Sequence, residues 1–140
     1  MDALRLGIFA LFTASTDLYA DIPGRLFYGK ATGANLSEGE YAILLPVSSN
    51  PDDAFAKERR EAYIQFSLFS GNSSPAKISE IATHLIDLLK DKPFDVTGWK
   101  VEGVEFLNDS LPIWIQGETE AADDGYWQDD VEFNITLRKN

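Results

Sequence analysis

Among the residue types that commonly act in catalysis, this 140-residue chain has a single histidine, His84, and it has no cysteine. A hydrolytic triad around His84 would need a nucleophile and an acid that orients the base, and no nucleophile motif accompanies it in the sequence. We therefore expect His84 to be an unpartnered side chain with a structural or solvent-exposed role. The lack of cysteine excludes disulfides, thiolate metal sites and cysteine nucleophiles.

Carboxylates are the abundant reactive groups. The stretch between Lys100 and Arg138 holds no lysine or arginine and ten acids: Glu102, Glu105, Asp109, Glu118, Glu120, Asp123, Asp124, Asp129, Asp130 and Glu132. Glycoside hydrolysis needs one carboxyl whose pKa is raised by burial and a second at a set distance across a cleft. Spacing in the sequence shows neither property for the glutamates at 102 and 105 or at 118 and 120, so we predict that they are not catalytic.

The acids around Gly125 do not form a calcium-binding loop. That loop carries acids at alternating positions before a glycine and a glutamate six residues after it. Counted from Gly125, the third position is Ala122 and the twelfth is Val131. The glycines of the chain form neither a phosphate loop nor a dinucleotide-binding motif. The sequence therefore predicts a protein without metal, cofactor or enzymatic activity.

The charge distribution also argues against an anionic partner. The net charge is −11; residues 1–70 hold nine acids and six bases (−3), and residues 71–140 hold fourteen acids and six bases (−8). A surface that binds nucleic acid must neutralise phosphates with lysine or arginine, so an acidic surface lets DNA pass without holding it. We assign six acids to such a DNA-repelling face: Glu102, Glu105, Glu118, Glu120, Asp123 and Asp124.

Length and composition indicate one folded domain over residues 1–140, because 44% of the residues are hydrophobic and aromatic residues are frequent. The apolar run at 6–12 lacks a small-residue cleavage site and is followed by Asp17 and Asp21, which favours a helix over a secretory signal. No stretch approaches the roughly 18 apolar residues of a membrane span. We expect a protein that is intracellular or is carried in a particle assembled inside the cell.

The elements that must position these residues follow from periodicity. A helical stripe predicts a first helix over about 2–19, and a second helix starts at Ser74-Pro75 and ends near Lys90. Strands are predicted at 25–29, 41–47, 61–70, 99–107, 111–116 and 126–138. The alternating residues of 62–68 and of 127–137, with Asp129 among the latter, should face the core. This order predicts an α+β fold: a mainly antiparallel sheet of about six strands with two helices.

Residues 48–57 are predicted to be a turn, because serine, asparagine, proline and aspartate dominate them. Phe55 is the large apolar side chain in this polar segment and has no local core to join. An aromatic residue surrounded by charge is typical of an interface anchor. We therefore predict a subunit contact with five members: Asp52, Asp53, Phe55, Arg59 and Arg60.

Five segments of the chain form a pattern that we compare with known families: Ile-Pro-Gly-Arg-Leu-Phe-Tyr-Gly at 22–29, Tyr-Ala-Ile at 41–43, Asn-Pro-Asp-Asp-Ala-Phe at 50–55, Tyr-Ile-Gln-Phe-Ser-Leu-Phe-Ser at 63–70 and Tyr-Trp-Gln-Asp-Asp-Val-Glu-Phe at 126–133. With these segments, nearly the whole chain resembles tail completion proteins of long-tailed bacteriophages and prophages. The resemblance is one of order, length and loose motif.

The resemblance implies a non-enzymatic tail terminator. Such a protein forms a ring, commonly a hexamer, on the head-proximal end of the tail tube and joins it to the head connector. The implied partners are other copies of the chain, the tail-tube protein and the connector protein, with DNA passing through and no membrane. The implied location is the virion tail, after assembly in the host cytoplasm. The alternatives are another neck protein, or a monomeric acidic binding module such as a DNA-mimic inhibitor.

Overall fold

The computed structural model describes residues 2–31, 36–45, 48–52, 58–71, 74–91, 94–119 and 124–140. Three α-helices are described: α1 (Asp2–Ala14), α2 (Asp17–Asp21) and α3 (Ala76–Asp91). The strands are β1 (Leu26–Tyr28), β2 (Tyr41–Leu44), β3 (Ser48–Asp52), β4 (Arg59–Ser70), β5 (Trp99–Asp109), β6 (Ile113–Gln116) and β7 (Gly125–Lys139). A 3-10 turn spans Leu36–Glu38. The α+β class and the mainly antiparallel sheet are confirmed.

The first predicted helix, over 2–19, is two helices in the structure. Ser15 separates them: its hydroxyl donates to the Phe12 carbonyl oxygen at 2.6 Å and accepts the Tyr19 amide at 3.1 Å. A serine side chain that bonds to nearby backbone competes with the helical hydrogen bonds, so the first helix ends there. The second helix is correct as predicted, since the Ser74 hydroxyl accepts the amide of Ala76 at 3.2 Å where α3 begins.

The strands form one sheet in the order β1-β2-β4-β7-β5, with β3 also paired to β4 and β6 also paired to β7. β1 runs parallel to β2, whereas the remaining pairs are antiparallel. The prediction of a turn throughout 48–57 is wrong for its first half, because β3 pairs with β4 from Ser48 opposite Tyr63 to Asp52 opposite Arg59. β4 is longer than β2, so its first residues have an unpaired edge with which residues 48–52 form backbone hydrogen bonds. The serine, asparagine, proline and aspartate of this segment do not predict such a strand.

The core lies between the helices and one face of the sheet, which we call the inner face. The predicted alternation in β4 and β7 is confirmed, since these inward side chains are fully buried: Ala62, Ile64, Phe66, Leu68, Val131, Phe133, Ile135 and Leu137. They belong to one apolar cluster with residues of α1 and α3. Phe133 packs edge-on against Phe66 and Phe106, with ring centres 6.0 and 5.9 Å apart.

Gly7 allows α1 to approach the segment before β5. A Cβ atom at this position would lie 2.5 Å from the backbone carbonyl oxygen of Asp95. Atoms at that distance repel strongly, so the close packing of α1 against this segment depends on the missing side chain. No described helix is long and apolar enough to cross a membrane.

The opposite face of the sheet, which we call the outer face, is polar and aromatic. Tyr63 on β4 donates to a carboxylate oxygen of Glu132 on β7 at 2.6 Å, and this hydrogen bond raises the pKa of Tyr63 to about 12. Ser67 donates to Asp130 in the same way at 2.7 Å. Tyr63 nevertheless remains 38% exposed. The described helices pack on the inner face and do not cover the outer face.

Candidate assembly surfaces

The predicted subunit contact is only partly within the described residues. Asp53 and Phe55 lie outside them, and for Asp52 the structure describes the backbone alone, paired with Arg59. Arg59 and Arg60 stand at the start of β4. Their role in a subunit contact stays a prediction.

Both arginines have partners within the chain. The Nε of Arg59 lies 3.4 Å from a carboxylate oxygen of Glu102. Arg60 lies 2.6 Å from Glu58, and its guanidinium is 5.8 Å from the centre of the Trp99 ring. The hydrogen bond from Arg60 holds the pKa of Glu58 below its usual value. These contacts tie β4 to β5 across the end of β7.

Glu102, which we predicted to repel DNA, is neutralised inside the subunit. Arg138 on β7 approaches it to 2.8 Å, in addition to Arg59 on β4. Arg59 lies opposite Arg138 in the β4–β7 ladder, so two strands present their guanidinium groups to the same carboxylate. The two arginines reduce the negative charge that Glu102 presents to solvent. The DNA-repelling role of Glu102, and that of the exposed Glu105 and Glu118, stays a prediction.

Asp124 organises the loop that follows β6. Its carboxylate accepts the Thr119 amide at 2.6 Å, and its carbonyl oxygen accepts the Gly117 amide at 2.7 Å. Hydrogen bonds from Thr119 lower the pKa of Asp124, which keeps the carboxylate ionised. Glu120 and Asp123, the other loop acids of the predicted DNA-repelling face, lie outside the described residues.

The turn after β5 is built on a buried carboxyl. Asp129 is 1% exposed; its Oδ1 accepts the Ser110 hydroxyl at 3.3 Å, while its Oδ2 has no hydrogen-bond donor. Burial, followed by the neighbouring Asp109 carboxylate, raises the pKa of Asp129 to about 8. Burial and the neighbouring carboxylate therefore both favour the protonated form of Asp129 in the folded chain. The same turn is closed by the Leu111 amide, which donates to Asp109 at 2.9 Å.

This turn presents an apolar side chain that the sequence reasoning missed. Leu111 has a φ of 67°, a left-handed conformation that is rare for a bulky residue, and it is 65% exposed. Three further exposed apolar residues lie near it in the sequence: Leu107 at 43%, Ile113 at 54% and Ile115 at 36%. We call Leu107, Leu111, Ile113 and Ile115 the β6 edge patch. The signal in the sequence was the alternation of Leu111, Ile113 and Ile115, which predicted a strand but not its exposed side.

Aromatic residues extend from the β6 edge across the outer face. Tyr41 on β2 stacks on Phe69 of β4 with ring centres 4.9 Å apart, and Phe69 lies 5.9 Å from Tyr126 of β7. Tyr126 is paired with Ile115 in the β6–β7 ladder. The Trp114 side chain lies on the opposite side of the sheet and packs on Trp127, with ring centres 5.3 Å apart. The outer face therefore carries a row of apolar side chains that ends at the β6 edge patch.

His84 is not the unpartnered residue that we predicted. Its Nδ1 lies 2.5 Å from a carboxylate oxygen of Asp21, at the end of α2. This hydrogen bond raises the pKa of His84. Lys77 reaches the other Asp21 oxygen at 3.2 Å and lies 3.6 Å from Glu80. The sequence reasoning failed because Asp21 is remote from α3 in the chain.

The same residues have the geometry of a cation site. Asp21, Glu80 and His84 each offer one ligand atom, and these atoms all lie within 4.8 Å of one another. The ammonium group of Lys77 already contacts both carboxylates, and the hydrogen bond to Asp21 favours the positively charged form of His84. The cluster is thus balanced by its own side chains, and we interpret it as an ion-pair network that joins α2 to α3.

The fold as a whole is similar to that of a virion protein. One chain in a structure of the virion of a native gene transfer agent particle matches with a TM-score of 0.76 and 18% sequence identity, over 98% of this chain and 96% of that chain. The sequence matches no protein-family model and no functionally curated protein. At 18% identity the likeness establishes the shared fold alone.

Proposed function

We propose that this chain is a structural protein of a phage-like virion, and specifically a tail terminator that forms a ring at the head-proximal end of the tail tube. The observation that carries the proposal is the similarity of the entire fold, over 98% of the chain, to a chain of the gene transfer agent virion. It agrees with the resemblance of the sequence motifs to tail completion proteins. The proposed role is assembly and docking, without catalysis.

The surfaces of the subunit support a ring. A ring requires two different patches on each subunit, because head-to-tail contacts join unlike surfaces. The two edges of the sheet are formed by β1 and β3 on one side and by β5 and β6 on the other. Exposed aromatic residues occur on two different surfaces: Tyr28 at the β1 edge is 43% exposed, and Tyr63 on the outer face is 38% exposed.

The charges support passage of DNA through such a ring. Glu105 and Glu118 are exposed acids on the β5–β6 side, where the sequence from 101 to 137 contains no lysine or arginine. Several of the described cations, such as Arg59 and Arg138, are engaged with carboxylates of the same chain. A surface of this kind does not bind phosphates.

Light scattering on the purified protein, alone and with tail-tube subunits, tests the proposal. We expect a discrete oligomer and capping of tail tubes, with the ring visible at one tube end by electron microscopy. A protein that stays monomeric and leaves tube length unchanged would contradict the terminator role. Binding to the connector but not to the tube would instead identify another neck protein.

A monomeric DNA mimic is the second candidate. It needs carboxylates that are free to imitate phosphates, but Glu102 is neutralised by two arginines and Asp124 accepts hydrogen bonds from its own loop. These contacts favour the assembly role over the mimic. A monomer that binds a basic host enzyme would reverse that preference.

A further inference from the structure

The β6 edge patch has features that packing inside the subunit does not explain. Leu111, Ile113 and Ile115 are exposed by 65%, 54% and 36% within five consecutive residues. They lie on an edge of the sheet, because β6 and β5 pair with β7 and no further strand is described beyond them. Grouped exposed apolar side chains on a soluble protein mark an interaction surface.

Leu111 is held in this position by a rigid turn. Its φ of 67° suits glycine or asparagine better than leucine. The turn is nevertheless fixed, since the Leu111 amide bonds to Asp109 and the Ser110 hydroxyl accepts the Asp130 amide at 3.0 Å. A bulky side chain kept in an unfavourable backbone conformation and exposed to solvent points to a function of the side chain itself.

The surroundings of the patch carry negative charge. Glu105 and Glu118 are exposed on either side of it in the sequence, and Asp130 and Glu132 lie on the adjoining outer face of β7. The 37 residues from 101 to 137 contain no lysine or arginine. An apolar centre with an acidic rim is complementary to an apolar surface with a basic rim.

The described surface of this chain offers no such complement. Seven of its ten described lysines and arginines are in ion pairs with acids of the chain: Arg5, Arg25, Arg59, Arg60, Lys77, Arg138 and Lys139. The other three lie on separate elements: Lys30 follows β1, Lys90 is in the last turn of α3, and Lys100 is in β5. A second copy therefore cannot provide several unpaired cations around one apolar area with the residues described.

We propose that the β6 edge patch docks a different protein whose contact surface has an apolar centre and a rim of lysine and arginine. Leu111 is the anchor, and Ile113 and Ile115 extend the contact. The inference rests on the proposed function in one respect: it takes the partner to be another protein of the virion, such as one above or below the ring. It does not depend on how the ring closes.

The test uses a soluble peptide that alternates leucine and lysine, and a matched peptide that alternates leucine and glutamate. Calorimetry measures their binding to the wild type and to Leu111→Gly, Ile113→Thr and Leu6→Gln. Leu6 is the control because it is 54% exposed, as Ile113 is, but lies on α1. Light scattering and thermal melting are recorded for every variant.

We expect the lysine peptide alone to bind, with an affinity that decreases as salt is added. Leu111→Gly and Ile113→Thr should weaken it by roughly tenfold or more, while Leu6→Gln leaves it unchanged. Leu111→Gly should melt at the wild-type temperature or above it, because glycine suits the left-handed turn.

Equal weakening by Leu6→Gln, or unchanged affinity in both patch variants, would overturn the inference as non-specific charge attraction. Loss of the oligomer in a folded Leu111→Gly or Ile113→Thr would overturn it by identifying a second copy as the occupant. A monomeric wild type would contradict the proposed ring. The peptide affinities alone would then decide whether the β6 edge patch docks a basic partner.

Discussion

On the inner face of the sheet the alternating side chains of β4 and β7 are apolar and fully buried, whereas on β6 the apolar side chains of Ile113 and Ile115 are exposed. The inner face is explained by packing under the helices. The β6 edge and its turn combine exposed apolar residues, a left-handed leucine and a contact with the buried carboxyl of Asp129, none of which improves packing. Departures of this kind are expected where a sequence serves function as well as stability.

The largest expected effect belongs to the inner face. Phe133 is fully buried and contacts Phe66 and Phe106, so Phe133→Ala removes a ring from a filled space. We expect a loss of about 3–5 kcal/mol in the free energy of unfolding, measured by urea denaturation. Leu111→Gly is the matched change at the β6 edge, and it should not lower the free energy of unfolding. Similar losses for the two variants would break the distinction between the two regions.

The contact of α1 provides the next test of close packing. Gly7→Ala places a methyl group 2.5 Å from the Asp95 carbonyl oxygen, so α1 must shift. We expect a loss of about 1–3 kcal/mol in the free energy of unfolding. Gly103→Ala on β5 is the control, because a Cβ there meets no atom within 4 Å. An unchanged Gly7→Ala variant would show that this contact does not constrain α1.

The buried carboxyl at the edge should make stability depend on pH. The pKa of Asp129 is raised from 3.8 to about 8 in the folded chain. Folding therefore favours the protonated form, and this contribution is fully present below pH 3.8 and is lost as the pH rises through about 8. Asp129→Asn mimics the protonated form and should be more stable than the wild type above that pH by about 1–2 kcal/mol.

Thermal melting of Asp129→Asn and the wild type across this pH range measures the effect. Asp130→Asn on the outer face is the control, since Asp130 is less buried than its neighbour Asp129. Parallel pH profiles for Asp129→Asn and the wild type would contradict a protonated Asp129.

The smallest expected effect comes from the ion-pair network between α2 and α3. The hydrogen bond that His84 donates to Asp21 raises the pKa of His84 above its ordinary value of 6.5. The stabilisation is therefore fully present below pH 6.5 and is lost as the pH rises through the raised pKa. His84→Gln should remove about 1 kcal/mol or less at acidic pH, because the pair is partly exposed.

Unfolding curves at acidic and alkaline pH check this prediction. The variant and the wild type should differ at acidic pH and converge at alkaline pH. A difference that persists at alkaline pH would mean that His84 contributes by packing instead of charge. Stabilisation of the wild type by added zinc, absent in His84→Gln, would show that the cluster is a metal site.

The parts of the fold that the sequence predicts are those with a local period. The stripe of α3 repeats at helical spacing, and the residues of 62–68 and 127–137 alternate, so their buried sides could be assigned without coordinates. The helix break at Ser15 and the strand at 48–52 escaped this reasoning. The hydrogen bonds of Ser15 to the backbone do not change the spacing of apolar residues, so they leave no signal in the helical period. The residues of 48–52 are turn formers, and their pairing with β4 depends on a strand that follows them in the chain.

The order of residues along the chain by itself determined the absence of cysteine chemistry, the acidic character of residues 101–137 and the apolar period that builds the sheet and its helix layer. Only the tertiary structure decided which charged side chains are paired within the subunit. It places Arg59 and Arg138 against Glu102, and Asp21 against His84. It also leaves Leu111 exposed on a turn that rests on a buried carboxyl. The physical reason is that charge and exposure depend on neighbours that are distant in the chain, whereas period depends on neighbours that are close.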